Sequence, residues 1–115
     1  MPNLNAPSNV EAKLARIELT TSSQTVFTTP ADKVSRVVSV IATNIDGTNN
    51  ADVTIATTDG STAIDLLKTV VVPADASLVA ISRDNILYVP AGSSMTALAS
   101  ANGDIVLHVS YEEIS

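Results

Sequence analysis

There is no cysteine in this chain, no tryptophan, one histidine, one phenylalanine and two tyrosines. Without cysteine no disulfide can brace the fold, and a thiolate metal cage or a cysteine nucleophile is excluded. Aromatic residues make up 3% of the chain against 45% for all hydrophobic residues, so the core must be built from Val, Ile, Leu and Ala. The β-branched members of that set favour strands. Positive charge is scarce as well: six Lys and Arg stand against twelve Asp and Glu, for a net charge of −6. None follows Arg83, which leaves no basic surface to hold phosphates, and nucleic acid is not an expected partner. Nowhere do about 18 uncharged apolar residues run together, and Met1 to Pro7 lacks the basic region and apolar run of a signal peptide. Neither a secretory nor a membrane-spanning segment is expected, and no Asn-x-Ser/Thr glycosylation acceptor is present.

The 115 residues correspond to one domain able to bury roughly two thirds of the surface of its unfolded chain. Its first residues differ from the rest: Pro2, Pro7, Asn3, Asn5 and Asn9 with few apolar side chains read as an arm outside the packed core. Ser8 and Glu11 have capping-box spacing, and Val10, Leu14 and Ile17 fall on one helical stripe. Ala15, Ile17 and Leu19 also alternate with Arg16, Glu18 and Thr20, and a strand from about Ala15 is the preferred reading. The expected division is an arm over residues 1–14 and a folded domain over 15–115.

From there the pattern has period two. Val34, Val38, Val40 and Ala42 point one way and Ser35, Val37, Ser39, Ile41 and Thr43 the other, along one long, largely buried strand. Asp46-Gly47 opens a polar loop; Val53, Ile55 and Thr57 then alternate with polar or small neighbours as far as the hairpin signal Asp59-Gly60. Leu66 to Val72, interrupted by Lys68 and Thr69 and stopped by Pro73, reads as another buried strand. Short strands over Leu78–Ile81 and Ile86–Val89 flank the turn Arg83-Asp84-Asn85. Pro90-Ala91-Gly92 leads into Met95, Ala97 and Ala99, and Asn102-Gly103, a dipeptide that fits the type I′ turn of a two-residue hairpin, leads into a last strand with Ile105, Leu107, Val109 and Tyr111 inward and Val106, His108, Ser110 and Glu112 outward. About eight or nine strands, with turn signals roughly every 8 to 12 residues, predict an all-β, single-domain antiparallel β-sandwich, jelly-roll or immunoglobulin-like.

Chemistry is hard to find. His108 stands alone on the outer side of the last strand, with no second His or Cys to complete a metal site. Asp46, Asp52 and Asp59 do not have the spacing of a calcium loop and fit turn-forming roles better. No tryptophan and only two tyrosines are available to stack a sugar ring for a pair of hydrolytic carboxylates. No Gly-x-Ser-x-Gly elbow, phosphate loop or dinucleotide fingerprint occurs. The reading is of a protein that is not an enzyme and has no cofactor and no metal.

The stretch Thr25-Val26-Phe27-Thr28-Thr29-Pro30-Ala31-Asp32-Lys33 resembles the valine, short strand and Pro-Ala-Gly-Lys opening of small virion structural proteins of tailed bacteriophages. Asn44 after the long strand, Val72-Pro73-Ala74 before Ser77-Leu78, and the ending Ile105 to Ile114 with its Val109-Ser110-Tyr111-Glu112-Glu113 string are similar to the same group, over about Ile17 to Ser115. Asp32 and Asp75 depart from it, standing where glycine is usual there. The resemblance implies a sandwich that binds other virion proteins, such as the major capsid protein, as a capsid decoration or cement subunit or as a neck or tail component. It would be located in the virion after assembly in the bacterial host cytoplasm. On this reading Leu4, Val10 and Leu14 are the arm's apolar partner-binding anchors. The many Ser, Thr and Ala side chains suggest flat faces for a homo-oligomer, taken as a trimer. The alternative is a carbohydrate- or receptor-binding module of a tail fibre or adhesin, which an exposed Tyr88 with Tyr111 beside it would favour.

Overall fold

A computed structural model describes residues 9–115. The chain forms β1 (Val10–Glu18), β2 (Gln24–Thr28), β3 (Val34–Asn44), β4 (Ala51–Thr58), β5 (Ala63–Val72), β6 (Ser77–Ile81), β7 (Leu87–Val89), β8 (Ser94–Ala99) and β9 (Ile105–Ile114), with one 3-10 turn at Arg83–Asn85. The first sheet has the order β1-β9-β3-β6, with β7 also on β3; the second has the order β2-β8-β4-β5. Every pairing is antiparallel.

β6 and β7 share one edge of β3, β6 against Val40–Thr43 and β7 against Ser35–Val37, so they are one strand interrupted by the 3-10 turn. Counted that way, each sheet has four strands and the chain passes from sheet to sheet except at the β4–β5 hairpin. This is the double Greek key of a jelly roll, which decides between the two sandwich types the sequence allowed.

The core between the sheets follows the alternation expected of the central and last strands. Val53 and Ile55 of β4, Met95, Ala97 and Ala99 of β8, and Ile105, Leu107 and Val109 of β9 are all buried. Small alanines of β8 share the core with larger aliphatics, and among the described residues the one aromatic contact is Phe27 stacked on Tyr111 at 4.2 Å between ring centres. Asn44, at the end of β3, is one of the buried polar residues. Its Nδ2 donates to the carbonyls of Asn49 and Val72, and its Oδ1 accepts from the N–H of Asp46.

Four expectations need correction. The first strand begins at Val10 rather than near Ala15, because Val10 to Glu18 pairs without interruption with Ile114 to Val106. Val37, not Val38, enters the core: the β3–β9 register shifts between Val37 and Ser39, and the extra residue Val38 reverses the phase of the alternation. β5 is not a buried strand but the outer edge of the second sheet, where Ile64, Leu66 and Val71 are exposed. Asn102-Gly103 does not close a two-residue hairpin, since β8 and β9 belong to different sheets; Gly103, at φ +79°, instead turns the chain across the sandwich and donates its N–H to Leu19.

Candidate interaction surfaces

The groups singled out for chemistry are separated by the fold. His108 is exposed on the outer face of the first sheet, in one cross-strand row with Arg16 and Ile41. Asp46 Oδ1 accepts the backbone N–H groups of Thr48 and Asn49, and Asp59 Oδ1 those of Ser61 and Thr62. Both carboxyls are thereby held below the ordinary value of 3.8, Asp46 chiefly by Thr48 and Asp59 chiefly by Thr62. Asp52 lies on β4, where its own N–H donates to Ser100 Oγ. Among the described residues no group of three or more His, Cys, Asp or Glu is placed to hold a metal ion.

What the fold does assemble is contact surface. On the outer face of the first sheet the Val38 bulge opens two adjoining hollows of about 300 and 360 Å³. Both share Val38, Arg83 and Glu112; Ala12 and Leu14 of β1 wall one side and Ile86 the other. The floor is fixed by Arg36, whose Nε donates to Glu112 Oε1 at 2.8 Å together with Nη2. That bonding holds the guanidinium protonated more firmly still. Outside the hollows the same face carries exposed Val79 and Tyr88. The bulge that creates the groove carries no mark in residue type, so sequence reasoning missed it.

The β1 edge is the second surface. Leu14 is 60% exposed and Val10 46%. Between them Lys13 Nζ lies 3.3 Å from Glu11 and 4.0 Å from Glu113, and Lys33 Nζ lies 3.5 Å from Glu113. The bond to Glu11 raises the Lys13 ammonium above its usual range. Leu4, the remaining anchor expected from the sequence, lies outside the described residues. Tyr88 and Tyr111 do not form a pair: Tyr88 shares a row with Arg36 and Glu112 on the outer face, whereas Tyr111 points between the sheets onto Phe27. Burial there pushes the Tyr111 hydroxyl up.

No family model and no curated protein matches the chain. Among solved structures, it is similar to a pentameric capsid protein isolated from metagenomic phage sequences. One crystal structure of that protein is 19% identical with a TM-score of 0.46; another, solved by iodide SAD phasing, is 17% identical with a TM-score of 0.42. Each match covers 89% of this chain, which spans 61% of the length of the matched chains.

Proposed function

We propose that this chain is a structural protein of a tailed-bacteriophage particle, a capsid decoration or cement subunit that stabilises the shell through contacts with the major capsid protein or other virion proteins. The observation that carries the reading is the placement of apolar side chains. The core leaves Val10, Leu14, Ile64, Leu66, Val71, Val79 and Ile86 outside, along strand edges and across one sheet face. Isolated exposed hydrophobics are ordinary, but a face and two edges supplied with them suit protein–protein contact.

Jelly rolls occur in viral capsid domains and also in lectins, so the strand order supports the reading without selecting it. The resemblance of Thr25 to Lys33 and of Val109 to Glu113 favours the virion. A carbohydrate-binding role would draw on stacked aromatics, and the two tyrosines face opposite sides of the first sheet. In this proposal Leu4, Val10 and Leu14 are apolar anchors for a partner, Val10 and Leu14 from the outer face of β1, and the protein acts in the virion after assembly in the host cytoplasm. For a homotrimer, the flat surface on offer is the outer face of the second sheet, where Thr25, Thr96 and Ala56 line one cross-strand row.

Cryo-electron microscopy of the parent particle tests the proposal. A sandwich of this size on the capsid lattice is the expected result; density only at the tail would move the protein to the neck or fibre class. A particle that lacks it altogether, together with specific glycan capture by the purified protein, would replace the proposal with the binding-module reading.

A further inference from the structure

A β-sandwich has four sheet edges, and three of them here are blunted. β2 is five residues long and shifts register between Thr25 and Phe27. β5 shifts register on both sides of Ile55 and holds Thr69 at φ +48°. The β6/β7 edge is broken by the 3-10 turn and by a shift between Val40 and Ile41. Bulges and breaks of this kind discourage edge-to-edge pairing. β1 has none: nine consecutive residues pair with β9 without a shift.

The open side of β1 presents hydrogen-bonding groups in a definite pattern. Asn9 and Ser115 exchange both of their backbone bonds. The alternation of an antiparallel ladder therefore turns the N–H and C=O groups of Val10, Ala12 and Leu14 away from β9, toward an edge that no other described strand occupies. The side chains along this stretch are self-complementary. Val10-Glu11-Ala12-Lys13-Leu14 reads apolar, acid, small, base, apolar, so an antiparallel copy centred on Ala12 sets Val10 opposite Leu14 and Glu11 opposite Lys13, each twice. Facing residues then share a sheet face, as a continuous sheet requires.

We propose that two copies of this chain associate through β1, antiparallel about a twofold axis at Ala12, joining their first sheets into one continuous sheet. Six backbone hydrogen bonds would close the seam, two for each of the facing pairs Val10–Leu14, Ala12–Ala12 and Leu14–Val10. The apolar pairs sit on the outer face and the opposite charges on the other, and no like charges face each other within the five residues. The pairing stands whether or not the chain belongs to a virion.

Sedimentation equilibrium of the full chain, with charge variants, is the test. The wild type is expected to be a reversible dimer. Glu11→Lys and Lys13→Glu each place like charges opposite one another twice and weaken the dimer by at least about tenfold, and the double swap restores it. Urea unfolding of each variant separates that rescue from the fold, because the swap also changes the intrachain contacts of positions 11 and 13 with Lys33 and Glu113. A second readout uses the absence of native cysteine. Ala12→Cys lies at a hydrogen-bonded pair with Cα atoms about 5.5 Å apart, within disulfide reach, and forms an interchain disulfide under mild oxidation. Arg16→Cys, set roughly 27 Å from its counterpart by about 3.4 Å per residue, does not. A wild type that stays monomeric up to about 1 mM overturns the proposal. So do single charge variants that dimerise like the wild type, or cross-linking at position 16 in preference to 12.

Discussion

Val37 and Val38 are chemically identical neighbours that the β3 bulge sends to opposite sides of the first sheet, and truncating each in turn measures that bulge directly. Val37 is fully buried, whereas Val38 is half-buried in the outer groove. Val37→Ala removes two buried carbons at about 0.8 kcal/mol each, or about 1.6 kcal/mol of transfer free energy. If the space left, on the order of 50 Å³, stays open, a cavity contribution of about 24 cal/mol per Å³ adds about 1.2 kcal/mol. The expected loss is therefore about 2 to 3 kcal/mol, a large fraction of the stability of a domain this size. Val38→Ala loses part of the transfer contribution and opens no closed cavity, so about 0.5 to 1 kcal/mol is expected. Urea denaturation with an unchanged slope reports both differences. Uninterrupted alternation along β3 requires the opposite order, and a Val38→Ala loss equal to or larger than that of Val37→Ala would refute the bulged register.

Removing the Asn44 side chain in Asn44→Ala orphans the carbonyls of Asn49 and Val72 and the N–H of Asp46; thermal unfolding is expected to show a loss of about 2 to 4 kcal/mol. Thr69 is β-branched yet held at φ +48°, so Thr69→Gly relieves more strain than the added freedom of glycine costs and stabilises by about 0.5 to 1 kcal/mol, measured as a higher urea midpoint. Asp46 and Asp59 have folded pKa values lowered by backbone donors, so their contribution is complete above the ordinary value of 3.8 and is lost as pH falls through the lower folded values. Carboxyl NMR titration should place both midpoints below 3.8, and Asp46→Asn should flatten the acid limb of the stability profile.

The parts of the fold legible in the sequence are those where one residue advances the pleat by one step. β9 keeps strict alternation from Ile105 to Glu112, and its inner and outer faces are the ones its pattern indicates. Where a bulge inserts a residue, the same reasoning inverts every later side chain, as at Val38, and no residue type announces it. β5 misled for another reason. Five apolar residues between Leu66 and Val72 look like a buried strand, but composition does not distinguish a strand covered on both faces from an edge awaiting a partner. Lys68 and Asp65 were the available signal, since charges within an apolar strand mark an edge. Asn102-Gly103 specifies a left-handed turn and nothing about which sheet the chain enters next. For the surface, Val10 and Leu14 stand out in the sequence as apolar residues beside a Pro- and Asn-rich segment; their place on a regular strand edge depends on pairing with Ile114 and Ser110 at the far end of the chain.

A chain with this much exposed aliphatic surface and no disulfide must still avoid indiscriminate association, and its charges are distributed to that end. Six of the twelve acidic residues, Asp32, Asp46, Asp59, Asp75, Asp84 and Asp104, lie between strands, at the rims of the sandwich. Copies approaching at random meet like charge, while bulges withhold the backbone groups of three edges. Along β1 the arrangement reverses: the backbone is regular, and acid and base alternate close enough for contact ion pairs. With a screening length of about 8 Å at physiological salt, rim repulsion fades over distances at which touching pairs still attract. Net negative charge and a self-complementary edge are therefore compatible, one suppressing nonspecific contact and the other admitting a single orientation.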